Sequence, residues 1–218
     1  MTKKRVNGST GPFGAFSPTE HGRLSLEGMY AECRLWLARL YASEAAPPGE
    51  LLKPVFGAGD PKAGMMLIGE APGKAETEQG APFVGKTLSA FLEGAGFSRD
   101  SLFITNAVKY RPYRLNPSGG KANRTPTRAE LVALRELLLF EIAAVSPKIV
   151  VTLGNSPLFS LTGRADIGAR HGVLEKLESG AALFPLYHPA SLIYNPGLAK
   201  DYEKDMAGLR DYAAKHGF

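Results

Sequence analysis

Cysteine is nearly absent: Cys33 is the one thiol in 218 residues. One thiol closes no intramolecular disulfide and builds no multi-cysteine metal site, so a reducing compartment is expected. No apolar run approaches the roughly 18–20 residues that cross a bilayer, and the basic start has no apolar signal core. Acidic excess is missing too. The net charge is +5 with pI about 9.3, which favours anionic partners without identifying one. What is present is the composition of a globular chain, 44% hydrophobic and 22% charged, long enough for one domain with a full-sized core. A soluble, cytoplasmic monomer without membrane contact is expected.

Residues 1–22, rich in Gly, Pro, Ser and Lys, read as a mobile or loosely docked arm, and residues 23–218 as a single domain. Leu26, Met29, Tyr30, Cys33, Trp36, Leu37 and Leu40 recur at three- and four-residue spacing, which predicts an amphipathic helix over 24–40. Short apolar runs at 65–69, 102–106, 149–153 and 182–187 predict four buried strands. Helices are predicted over 88–93, 126–145, 157–161 and 200–215. Thr127 and Glu130 have capping-box spacing at the start of the second. Residues 74–79 read as a polar span and 115–125 as a loop. Strands alternating with helices give a parallel sheet covered on both faces.

Residues 65–87 organise the rest. Their apolar start breaks at Gly69-Glu70-Ala71-Pro72-Gly73, leaving Glu70 at the carboxyl end of a strand, where open sheets bind ligands. Residues 80–87, GAPFVGKT, match the phosphate-loop pattern G-x-x-x-x-G-K-[ST] letter for letter. That loop works only between a buried strand and a helix. Here a polar, charged span precedes it, Pro82 removes a donor, and no later strand ends in an Asp suited to magnesium. Nucleotide hydrolysis is set aside. Asn106, Gly154-Asn155-Ser156 and His188 also follow strand ends, and Phe83 sits beside Glu70. A carboxylate, an amide, an imidazole and a ring converging on one edge suit a planar hydrogen-bonding ligand such as a nucleobase.

Five segments, in order and at fitting spacings, now carry a resemblance. They are Gly69-Glu70-Ala71-Pro72-Gly73, Pro82-Phe83-Val84-Gly85-Lys86, Thr105-Asn106-Ala107-Val108-Lys109, Asn123-Arg124-Thr125-Pro126 and Tyr187-His188-Pro189-Ala190-Ser191-Leu192. Over about residues 30–212 the chain resembles the family-4 branch of the uracil-DNA glycosylase superfamily. The resemblance implies a three-layer α/β/α sandwich around a central four-stranded parallel sheet. It implies a monofunctional base-excision-repair glycosylase that flips uracil out of DNA and hydrolyses its N-glycosidic bond, leaving an abasic site. Its partner would be uracil-containing DNA. A glycosylase for hypoxanthine or xanthine, and a non-catalytic DNA-binding relative, are the alternatives.

The same resemblance assigns roles. Asn106 reads the Watson–Crick edge, Phe83 stacks on the base, and the backbone at Gly69 and Glu70 adjoins it. His188 stabilises negative charge developing on uracil O2, and Glu70 positions or activates water. Lys109, Arg124, Ser156 and Ser191 are expected DNA contacts, with Leu192 or Tyr194 filling the gap left by the flipped base. The chain departs from the pattern at a cluster site. Four family cysteines that hold a [4Fe–4S] cluster are matched by Cys33, Trp36, Tyr110 and Leu134. One thiolate cannot hold such a cluster, so no cluster, metal or other cofactor is expected, and a hydrophobic plug takes its place. A related subfamily bonds covalently to the abasic sugar through a histidine before Thr-Pro. Asn123 stands near that position, so ordinary turnover is expected.

Overall fold

The computed structural model describes residues 14–17, 24–85, 92 and 94–217. In chain order it holds Leu26–Tyr41 (α1), Ala58–Gly59 (β1), Met65–Gly69 (β2), Lys74–Gln79 (α2), Leu102–Asn106 (β3), Tyr113–Leu115 (β4), Lys121–Asn123 (β5) and Arg128–Ala133 (α3). Arg135–Val145 (α4), Ile149–Leu153 (β6), Asn155–Thr162 (α5), Ile167–Arg170 (α6), Glu175–Lys176 (β7), Ala182–Leu186 (β8), Ser191–Tyr194 (α7) and Ala199–His216 (α8) follow.

β2, β3 and β6 are buried at every residue, and β8 at all but its first, the signature of strands covered on both faces. They pair in parallel in the order β3-β2-β6-β8. Alternate side chains point opposite ways. Met66, Ile68, Phe103 and Val150 pack against α1, α3, α4 and α5, while Met65, Leu67, Ile104 and Val151 pack against α8. The result is the three-layer α/β/α sandwich. β2 has β3 on one side and β6 on the other, so the chain reverses its direction of growth there, and a crevice opens at the carboxyl ends.

The sheet is wider than expected. β1 and β7, two residues each and antiparallel, extend it to six strands, with the four parallel strands at its centre. Such short edge pairs contain no hydrophobic run to read. The span expected as a loop at 115–125 is largely a hairpin, with β5 inside it paired to β4, and the polar span at 74–79 is helix α2. The helix expected over 126–145 breaks in two at Leu134, where φ is −103° and ψ 5°. The capping box at Thr127 and Glu130 is formed. Leu134 is fully buried, and neither Gly nor Pro marks the break.

Most of the expected arm and of the 88–93 helix lies outside the described residues, as do Lys86 and Thr87. The described part of the arm is docked rather than loose. Phe16 is 1% exposed, meets Trp36 edge-on at 5.9 Å, and donates its N–H to the Ala133 carbonyl at 2.7 Å. Cys33, Tyr110 and Leu134 lie in this same apolar core, with Trp36 packed on it.

Candidate active site

Strand ends deliver the site. Gly69 and Asn106 are register partners across β2 and β3, so Glu70 emerges beside Asn106. β6 ends at Leu153, and Gly154 turns the chain into α5 at φ +87°, a conformation suited to glycine. His188 lies two residues beyond β8. A cleft of about 600 Å3 opens here, lined by Glu70, Phe83, Asn106, Ser156, Tyr187 and His188 among others.

Asn106 is 2% exposed, and its Nδ2 has no hydrogen-bond partner among the described residues. A buried amide donor favours a ligand that brings an acceptor to it. Gly69 separates it from Phe83: a Cβ there would overlap both the Phe83 ring and the Asn106 Oδ1. No side chain fits between ring and amide.

Phe83 sits at φ +55°, which is strained for a bulky residue. Two residues overlooked in the sequence hold it there. Glu76 accepts from the Phe83 N–H at 3.0 Å through Oε1 and from the Gly73 N–H through Oε2. Arg99 donates to the Phe83 carbonyl at 2.9 Å and the Pro82 carbonyl at 2.6 Å. Glu76 forms only the return half of a capping box, because Gly73 has no side chain to offer, so the Ser/Thr signal of that motif is missing. Nothing local marks Arg99, sixteen residues away.

Ser156 Oγ donates to Glu70 Oε2 at 2.6 Å. Burial raises the Glu70 carboxyl above its ordinary pKa, and hydrogen bonds from Ser156 and Thr125 pull it partly back. Burial lowers the pKa of His188, favouring the neutral ring. Its Nδ1 accepts from the Ala190 N–H at 3.1 Å, so the neutral ring carries its proton on Nε2. Tyr187 next to it is backed by His171, stacked at 4.5 Å and bonded to Asp205 at 2.7 Å.

Three of the expected DNA contacts are corrected. Lys109 is 0% exposed and bonded inside the fold to Glu141, out of reach of phosphate. Ser156 is buried and spends its hydroxyl on Glu70. Arg124 is tied inward, donating to Glu130 at 2.7 and 2.8 Å and to the carbonyls of Pro48 and Tyr113. Basic residues beside a functional loop read as phosphate contacts, but carboxylates inside the fold claim them. Ser191 lines the cleft, half-buried. Leu192 packs against the core on the α8 side, whereas Ile193 and Tyr194 are 71% and 87% exposed. Asn123 also lines the cleft, its Oδ1 held by Arg111 Nε at 2.7 Å. Among the described residues, no group of three or more His, Cys, Asp or Glu is arranged to hold a metal ion.

Comparison with known proteins matches residues 56–209 to the family model described as the uracil DNA glycosylase superfamily. The type-4 uracil-DNA glycosylase of Sulfurisphaera tokodaii is 38% identical over 194 residues, covering 84% of this chain and 79% of that one. Its namesake from Saccharolobus solfataricus is 35% identical over 192 residues, covering 83% and 80%. The type-4 enzyme of Thermotoga maritima is 31% identical over 170 residues, covering 75% and 84%.

Proposed function

The chain belongs to the uracil DNA glycosylase superfamily, and from that premise we propose that it hydrolyses the N-glycosidic bond of uracil flipped out of DNA, leaving an abasic site. One observation carries the uracil reading: the buried Nδ2 of Asn106, without a partner among the described residues, beside the Phe83 ring whose backbone is clamped. With Phe83 stacked on the base, the carboxamide donates to O4 and accepts from N3–H. Cytosine presents the opposite pattern and is refused.

As the glycosidic bond breaks, electrons move onto the uracil ring, and charge develops at O2. His188, neutral and protonated on Nε2, donates there without surrendering its proton. Removing one such donor typically costs about 10²–10³ in rate. Glu70, ionised and oriented by Ser156, holds the water that adds to the sugar carbon and faces the positive charge building on the sugar. Ser191 contacts the DNA backbone, and the wedge falls to the exposed end of α7.

The iron–sulfur cluster that the family suggests does not fit these residues. Of the four matching positions only Cys33 is a thiol, and it shares an apolar core with Tyr110 and Leu134. The Tyr110 hydroxyl is already donated to Glu130 at 2.8 Å. We propose a cluster-free enzyme whose purified form lacks stoichiometric iron and absorbance near 400 nm.

A single-turnover assay tests the reaction, using oligonucleotides that carry uracil, hypoxanthine or xanthine, single-stranded and paired. Uracil release slowed about 10²-fold or more by Asn106→Ala and by His188→Ala is the expected result. Release of purine lesions alone would reassign the substrate. Binding without cleavage of any base would make the chain a non-catalytic relative.

A further inference from the structure

Beneath Asn106 lies an ion pair that the reaction does not use. Lys109 and Glu141 are both 0% exposed. Lys109 Nζ donates to Glu141 Oε2 at 2.7 Å, to Thr105 Oγ1 at 2.7 Å and to the backbone carbonyl of Asn106 at 2.5 Å. All three ammonium protons therefore have acceptors. The Thr105 hydroxyl lies 3.2 and 3.1 Å from the two Glu141 oxygens, and the Tyr30 hydroxyl donates to Oε1 at 2.9 Å. Strand β3 and helices α1 and α4 thus meet at one carboxylate.

Stripping water from two charges commonly costs as much as the pair returns, and a well-packed apolar pair of similar volume often serves stability as well or better. Stability alone gives no reason for the ions. Their geometry does, because one of the three protons is spent on the carbonyl of the residue whose carboxamide nitrogen has no partner among the described residues. We infer that Lys109, held by Glu141 and Thr105, is a positioning residue that fixes the Asn106 peptide and so aims its carboxamide, setting the sharpness of base recognition. This rests on the reading of Asn106 given above.

A coupling experiment tests it. Uracil release is measured for wild type, Asn106→Ala, Lys109→Met/Glu141→Leu, and the triple variant. The paired substitution removes both charges at nearly constant volume, which avoids a lone buried ion. The expected result is a loss of about tenfold or more from the pair, and a triple variant no slower than Asn106→Ala alone. A folded pair variant with wild-type rate, or losses that multiply in full, would overturn the inference. If the pair variant fails to melt cooperatively, Thr105→Val takes its place, with a smaller loss and the same non-additivity expected.

A second readout needs no substrate. The side-chain amide protons of Asn106, assigned by their disappearance in Asn106→Ala, should give one dispersed NMR pair in wild type. In Lys109→Met/Glu141→Leu or Thr105→Val they should collapse or multiply. An unchanged pair sinks the inference even if wild type releases no uracil, and that silence by itself would sink only the reaction proposed above.

Discussion

His188 and Glu70 are perturbed in opposite directions by the same cause. Burial disfavours charge, so it lowers the imidazole pKa below its ordinary 6.5 and raises the carboxyl above its ordinary 4.5. Catalysis as proposed needs the neutral ring and the ionised carboxylate, and acid removes both. The pH–rate profile should therefore be level from neutrality into mild alkali and fall on acidification. His188 contributes to that limb only below pH 6.5, and Glu70 already contributes above pH 4.5. A single-turnover profile checks this, and a plateau down to pH 4.5 would contradict it. Stability follows the same histidine. The unfolded ring binds its proton before the folded one does, so the folding free energy is whole above about pH 6.5 and erodes as pH falls through the lower folded value.

The α2 element, the turn after it and the Arg99 segment act together as a clamp on a strained ring. Arg99→Ala removes two hydrogen bonds to the Pro82 and Phe83 carbonyls. Because Arg99 is an exposed residue, melting should barely change. Uracil release should nonetheless fall about tenfold or more, since Phe83 is free to leave φ +55°. Comparing initial rates with a thermal melt separates the two effects. At this scale the sequence was legible in its short apolar runs, three of which close near a Gly or Pro while the one ending at Asn106 does not. The four parallel strands, the ends that bear Glu70, Asn106 and His188, and the cap at Thr127 could all be read. Lys109, Ser156 and Arg124 were misjudged for one shared reason. A side chain's destination depends on its partners: Glu141 and Glu70 lie far off in sequence, and the spacing that marks Glu130 as a helix cap does not mark it as the partner of Arg124. The break at Leu134 was hidden because its own burial continues the apolar periodicity.

Across the whole molecule, every face of the sheet is committed to one of two cores, and a short N-terminal segment belongs to one of them. Phe16 is buried against Trp36 near the core that contains Cys33, Tyr110 and Leu134. Phe16→Ala should cost about 3 kcal/mol, lowering the melting temperature by about 6–12 °C for a chain of this size. Calorimetry checks this, and a shift under about 2 °C would mean that the segment adds little.

That same core gives the chain a reporter of its own opening. Cys33 is 0% exposed, and burial pushes its thiol up to about 12. At neutral pH the folded thiol stays protonated and out of reach, so an aromatic disulfide or maleimide reagent should meet no nucleophile. Labelling then proceeds only when the core separates, and because no other cysteine competes, its rate at saturating reagent counts openings. Phe16→Ala should speed that clock, while Arg99→Ala should leave it running at the wild-type pace.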